Sequence, residues 1–317
     1  MSALIKLIPD LQEAVRLAAI AAAPWRGKGD KQRADQSATG AMRAWLQNIE
    51  AFFEVKIGEG ERDECNLEQM LWVGERLGKG GTPLDLAVDP LEGTTPCASL
   101  LSRSWTTLAA APEGTLFSAP DCYMDKVATG PKCAGEVSID YPPESNIRHV
   151  ADALGKPVRD VVVCILNRGR NKKLIERVRA TGASIHLIED GDVYGCIATA
   201  FPELGIDLYL GIGAAPEGVL AATALKGLGG EFQGRLWFSD DELGCTQKAR
   251  AIGMGHDVQA SLSMAKIVKT DDMVFVACGV TDGEIVKGVK FNDGKVITET
   301  LVITMNGYQV ITDVRAA

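Results

Sequence analysis

Leu84-Asp85-Leu86-Ala87-Val88-Asp89-Pro90-Leu91-Glu92-Gly93-Thr94 decides how this chain is read. A β-prone apolar run delivers two carboxylates, Asp89 and Glu92, onto what reads as a turn, because Pro90 and Gly93 favour a defined bend. Thr94 follows where a helix begins, as an N-cap whose neighbouring N–H groups face an anion. Carboxylates at a strand end form a cage of hard oxygen ligands. Such a cage suits Mg²⁺ or Mn²⁺, and the ion in turn binds phosphate.

Working outward, helical periodicity covers Leu11 to Trp25 and Asp35 to Asn48, with the loop Gly27-Lys28-Gly29-Asp30-Lys31 between them. Phe52 to Ile57 reads as a strand, Met70 to Leu77 as a helix and Leu84 to Val88 as a strand. Further strands follow at Trp105 to Ala110, Leu116 to Ser118 and Tyr123 to Thr129. Prolines break the pattern between Gly130 and Ser145. That break suggests two domains, a metal-binding one over 1–140 and a second over 141–317. Beyond it, helices at Asn146 to Leu154, Lys172 to Thr181, Val193 to Ala200 and Glu217 to Leu228 alternate with strands at Asp160 to Leu166, Ser184 to Ile188 and Ile206 to Leu210. The alternation predicts a largely parallel sheet in an α/β fold. The tail from Met273 reads as strands, with Asp293-Gly294 as a hairpin turn.

Acidic residues recur at strand and loop ends, mostly beside glycines: Asp35, Glu59 and Glu61, Asp89 with Glu92, Asp190-Gly191-Asp192, and Glu217. Any one of them is also an ordinary exposed acid at a turn, and Glu217 suits a first helical turn for its dipole alone. Arg168-Gly169-Arg170 closes a strand and is placed to fork a phosphate. The three histidines support neither a triad nor a zinc site. The eight cysteines form no CxxC pair and read as buried thiols of a reducing compartment, with Cys65, Cys97, Cys122 and Cys133 open to a redox role. A net charge of −9 argues against a nucleic-acid or anionic-membrane surface, and no signal peptide or membrane-length apolar run is seen. The expected location is cytoplasmic.

Taken in order, Gly27–Lys31 with Ala34-Asp35, Ile57–Glu64, Ala87–Thr94, Ala119–Met124, Asp190–Asp192 and Gly211–Gly218 resemble the class II fructose-1,6-bisphosphatases. These lie within the metal-dependent, lithium-sensitive sugar and inositol phosphatases. Ala214 and the segment Gly229–Gly234 are most similar to the cyanobacterial branch, whose members act on both fructose 1,6-bisphosphate and sedoheptulose 1,7-bisphosphate. The resemblance implies a layered αβαβα sandwich of two domains with the site between them. It implies hydrolysis of the 1-phosphate of fructose 1,6-bisphosphate, in gluconeogenesis or the Calvin cycle, and a homodimer or homotetramer.

Carried over by position, the resemblance makes Asp35, Glu59, Asp89, Glu92 and Glu217 ligands of two or more Mg²⁺ or Mn²⁺ ions. Substrate contacts fall at Glu92, Gly93, Thr94, Tyr123, Arg168, Arg170, Asp190, Gly191, Asp192 and Ala214. Lys31, Asp35 and Thr94 prepare the attacking water, and Asp190 and Asp192 accept hydrogen bonds from sugar hydroxyls. Three departures stand out: extra residues at Cys65-Asn66-Leu67-Glu68-Gln69, Thr95 after Thr94, and Arg168 where lysine is common. Three other readings compete. An inositol monophosphatase would carry aspartate in place of Glu92. A sugar-phosphate sensor would keep the arginines and lose the ligands. A scaffold would not need the acidic cluster.

Overall fold

The computed structural model describes residues 2–58 and 71–316. Glu59, Cys65 and the extra residues Cys65–Gln69 lie outside the described residues. The chain divides into two compact units, Met1–Ser118 with Thr270–Ala317, and Ala119–Lys269.

The first unit begins with α1 (Ala3–Ala22) and α2 (Lys31–Leu46). The side chain of Asp30 accepts from Arg33 N–H and starts α2 four residues before the expected Asp35. The sheet uses β1 (Phe52–Ile57), β2 (Arg76–Leu77), β3 (Pro83–Glu92) and β4 (Trp105–Pro112), with the short α3 (Thr94–Ala98) between the last two. Among the described residues from Leu71 on, the helix expected over Met70 to Leu77 does not form: Val73 and Gly74 turn, and Arg76–Leu77 pairs with β1. Its apolar spacing serves a chain segment packed at the sheet edge, with Leu71 and Leu77 in the core. Leu116 to Ser118 forms no strand.

The second unit contains β5 (Tyr123–Thr129), α4 (Pro143–Leu154), β6 (Val162–Leu166), α5 (Lys172–Ala180), β7 (Ser184–Ile188) and α6 (Asp192–Ala198). It continues through β8 (Leu208–Ala214), α7 (Ala215–Leu228), β9 (Glu231–Trp237), α8 (Glu242–Gly253), β10 (Leu262–Ser263) and α9 (Met264–Ile267). The chain then adds β11 (Val274–Gly279), β12 (Lys290–Asn292), β13 (Lys295–Thr304) and β14 (Gly307–Ala316) to the first sheet. Asp293 and Gly294, both at positive φ, make the expected two-residue turn between β12 and β13.

The expected domain boundary near residue 140 is therefore corrected. β11 pairs with β4 from Val274↔Ala110 to Gly279↔Trp105, so the tail belongs with the N-terminal half. β5 pairs with β8 and β9, so Tyr123–Thr129 belongs with the second sheet. Local pattern carried no sign of either long-range pairing.

In the first unit, α1 and α2 cover one face of the sheet, and Phe53, Val55, Leu86, Val88, Leu108, Val276 and Cys278 join them in one core. The second sheet runs β10-β9-β5-β8-β6-β7. Only the β6–β7 and β6–β8 pairs are parallel, which corrects the expected largely parallel sheet. Alternation along its strands serves helices on both faces. Val127, Val163, Ile165 and Leu208 pack with α4 and α5. Met124 and Lys126 point instead toward Gly218 of α7, while Cys164 and Tyr209 pack beside Gly195 of α6.

Candidate active site

In a regular strand, residues three apart face opposite ways. Asp89 and Glu92 escape this rule because β3 is bulged. Asp89 pairs with Thr107 and Glu92 with Trp105, so β3 carries one more residue than β4 over that interval. Pro90 sits inside the bulge, where its missing N–H leaves no ladder bond unmade. The N–H of Leu91 donates to Asp89 Oδ1 at 3.1 Å. The extra residue returns both carboxylates to one side, and a ligand oxygen of each lies within 4.8 Å of the other. Both residues are almost fully buried, at 2% and 1% exposure. Two buried carboxylates at that spacing repel one another unless a cation is shared, and oxygen donors of this kind fit Mg²⁺ or Mn²⁺. The expected turn is thus a strand bulge.

Gly93 follows in the left-handed region at φ 83° and occupies the N-cap position of α3, which makes Thr94 its first residue rather than its cap. The Gly27–Lys31 loop is fastened to α3 by main-chain bonds from Gly27 N–H to Cys97 O and Gly29 N–H to Ala98 O, each 2.9 Å. Lys31, at the start of α2, donates from Nζ to Thr95 Oγ1 at 2.8 Å. Thr95, which marks a departure from the family pattern, is therefore the residue that anchors Lys31. Asp35 lies one turn further along α2 and is half-buried.

In the second unit, Tyr123 opens β5 beside Ala214 at the end of β8. The Arg170 guanidinium lies 4.3 Å from the centre of the Tyr123 ring, and its Nε donates to Ile212 O at 2.9 Å. This stacking gives the cation a fixed place. Trp237 packs edge-to-face with Tyr123, with ring centres 5.8 Å apart. Arg168 is exposed at the strand end. Arg170, Lys173 and Arg177 line a cavity of about 470 Å³ with Asp125 and Asp140.

Asp190 is half-buried and its Oδ1 accepts from Gly191 N–H at 3.2 Å. Gly191, at φ 86°, precedes α6. Asp192 departs from the expected role as a sugar acceptor. It is buried, and its Oδ2 accepts from Lys126 Nζ at 2.6 Å and from Tyr209 OH at 3.1 Å. Glu217, the third residue of α7, takes the Ala214 N–H on Oε2 at 3.0 Å and lies 3.5 Å from Lys126 Nζ.

Burial alone would drive the Lys126 ammonium toward neutrality. The carboxylates of Asp192 and Glu217 outweigh it and hold the group above the ordinary lysine value. Burial, then Asp192, keeps the Tyr209 hydroxyl protonated and donating. Sequence reading missed both residues. A signal existed in β5, where Lys126 falls in phase with Met124 and Ala128 on the buried face.

The cysteines expected to be open to redox chemistry are poorly disposed to it where described. Cys97, Cys122 and Cys133 are buried and joined in no disulfide, and burial pushes Cys97 up to about 11 and raises Cys133.

Residues 5–315 match the family described as bacterial fructose-1,6-bisphosphatase, glpX-encoded. A D-fructose 1,6-bisphosphatase class 2/sedoheptulose 1,7-bisphosphatase of Prochlorococcus marinus (strain NATL1A) is 39% identical over 310 residues, covering 94% of this chain and 92% of that protein. One of the same description from Synechococcus sp. (strain RCC307) is 42% identical over 309 residues, with the same two coverages. An inositol monophosphatase structure from Anabaena overlaps 63% of this chain and 72% of its own at 12% identity and a TM-score of 0.33, a likeness too distant to bear on the site. With nearly the whole length matched and the bulged Asp89–Glu92 strand in place, this chain belongs to the glpX-type, class 2 family of bacterial fructose-1,6-bisphosphatases.

Proposed function

We propose that this chain hydrolyses the 1-phosphate of fructose 1,6-bisphosphate to fructose 6-phosphate and phosphate, with sedoheptulose 1,7-bisphosphate as a second substrate. The carrying observation is the bulge that turns Asp89 and Glu92 to one side, buried and close. In this reading Asp35, Glu59, Asp89, Glu92 and Glu217 hold two or more Mg²⁺ or Mn²⁺ ions. Such ions, when bound, acidify a water and offset charge on the transferring phosphoryl group.

The chain's own groups do the rest. Lys31, Asp35 and Thr94 orient the water, with Thr95 fixing Lys31. Gly93 and Thr94 bring main-chain N–H groups to the 1-phosphate. Tyr123, Arg168 and Arg170 hold the distal phosphate, and the Tyr123–Arg170 stack favours a bisphosphate over a monophosphate. Asp190, Gly191 and Ala214 border the sugar, and Asp192 supports them from beneath. Phosphate release measured with and without Mn²⁺ or Mg²⁺ tests the reading on fructose 1,6-bisphosphate, sedoheptulose 1,7-bisphosphate and inositol 1-phosphate. Metal-dependent release from the first two supports it, and turnover of the inositol ester alone overturns it.

We place the enzyme in the cytoplasm as a homo-oligomer. Among the described residues, no helix is long and apolar enough to cross a membrane. The ten-residue β14 pairs only with β13 among the described strands and exposes Tyr308, Val310, Ile311 and Val314. A long apolar edge of this kind takes up another strand, and a second copy of the chain is the occupant proposed.

A further inference from the structure

Lys126 is a fully enclosed charge of the second unit, and the fold has made room for it. It is 1% exposed in the middle of β5. Its Nζ lies 2.6 Å from Asp192 Oδ2 and 3.5 Å from Glu217 Oε2, so one ammonium meets the first turns of both α6 and α7. The space is kept by glycines. A Cβ on Gly213 of β8 would fall 1.7 Å from Asp192 Oδ2 and 2.9 Å from Lys126 Nζ. One on Gly218 of α7 would fall 3.4 Å from Lys126 Cε. Tyr209 adds its hydroxyl to the same oxygen of Asp192.

A buried lysine with one carboxylate partner is a plain ion pair. One shared between two carboxylates on two helices fixes each relative to the other. We propose that Lys126 is a positioning residue, tying the Asp190–Asp192 turn to Glu217 so that one ammonium sets both the sugar contact and the metal-ligand carboxylate. This rests on the reading of Glu217 as a metal ligand. The competing account is that Lys126 only neutralises buried Asp192.

The two accounts separate by direct Mn²⁺ titration of the metal-free protein, followed by electron paramagnetic resonance or calorimetry, with thermal melting to confirm folding. Lys126→Met alone strands the Asp192 charge and is expected to lower stability. Lys126→Met/Asp192→Asn removes both charges together and keeps the packing. Asp192→Asn alone measures what the loss of the Asp192 charge contributes by itself.

The double variant is expected to melt near the native protein yet bind Mn²⁺ about tenfold more weakly, the equivalent of ~1.4 kcal/mol. Its KM for fructose 1,6-bisphosphate should also rise. Native or tighter Mn²⁺ affinity in the folded double variant overturns the proposal. Glu217→Gln distinguishes the two levels of failure. If it weakens Mn²⁺ binding while the double variant does not, the role of Lys126 is refuted. If neither weakens it, the ligand assignment of Glu217 fails with it.

Discussion

Gly93, Asp125 and Arg170 show what single residues contribute. Gly93 sits at φ 83°, and an added Cβ would meet its nearest atoms at an ordinary 3.4 Å. Backbone strain rather than crowding sets the cost of Gly93→Ala, ~1 kcal/mol of stability in denaturant titration. Because Thr94 follows directly, turnover should fall as well. Asp125 lines the cavity beside Arg170, and burial holds its carboxyl above the ordinary aspartate value against the pull of the Lys126 N–H and Arg235. A carboxyl whose folded pKa is raised contributes its full stability below the unfolded value and loses it as pH rises through the folded one. The melting-temperature gain of Asp125→Asn over the native protein should therefore be larger at pH 7 than at pH 4. An equal gain at both would contradict the burial argument. Arg170→Ala removes the cation stacked on Tyr123. The expected result is a KM for fructose 1,6-bisphosphate raised about tenfold or more with kcat little changed, the signature of lost ground-state binding.

Elements were legible where a local rule governs them and obscure where a distant partner does. The strand of β3 could be read from its apolar run, and the Asp293-Gly294 hairpin from its turn residues. The bulge could not, since it exists only in register against β4. The segment after Met70 looked helical by spacing yet packs as an edge strand, because pairing with β1 overrides a weak periodic signal. The start of α2 was missed by a few residues because Asp30, the true cap, sits inside a glycine-rich loop. At this scale Gly213 is the sharpest test. A methyl there overlaps Asp192 within the packed β8–α6 contact. Gly213→Ala should cost ~3 kcal/mol in denaturant titration, at the upper range for overpacking. A near-native midpoint would show that Asp192 is free to move.

For the whole molecule, the ordered set of motifs carried the family and the α/β class, and position-by-position matching carried the candidate ligands. The division into units was hidden, because Val274–Ala316 returns to the first sheet across a long interval of sequence. Buried partners such as Lys126 were hidden for the related reason that burial is a property of the assembled sheet. The exposed edge of β14 gives a prediction for the intact protein. Val310→Lys should lower the oligomeric mass seen by light scattering while leaving the melting temperature nearly unchanged. An unaltered mass would move the interface elsewhere.

The proposed role of the bulged pair Asp89 and Glu92 is to hold the ions that drive hydrolysis. Its most direct test is phosphate release from fructose 1,6-bisphosphate across an Mn²⁺ titration, for the native chain and for folded Asp89→Asn. The native protein should be silent without metal and rise to saturation. The variant should fall about a thousandfold, the equivalent of ~4 kcal/mol of transition-state stabilisation. Near-native turnover in the folded variant would contradict the account.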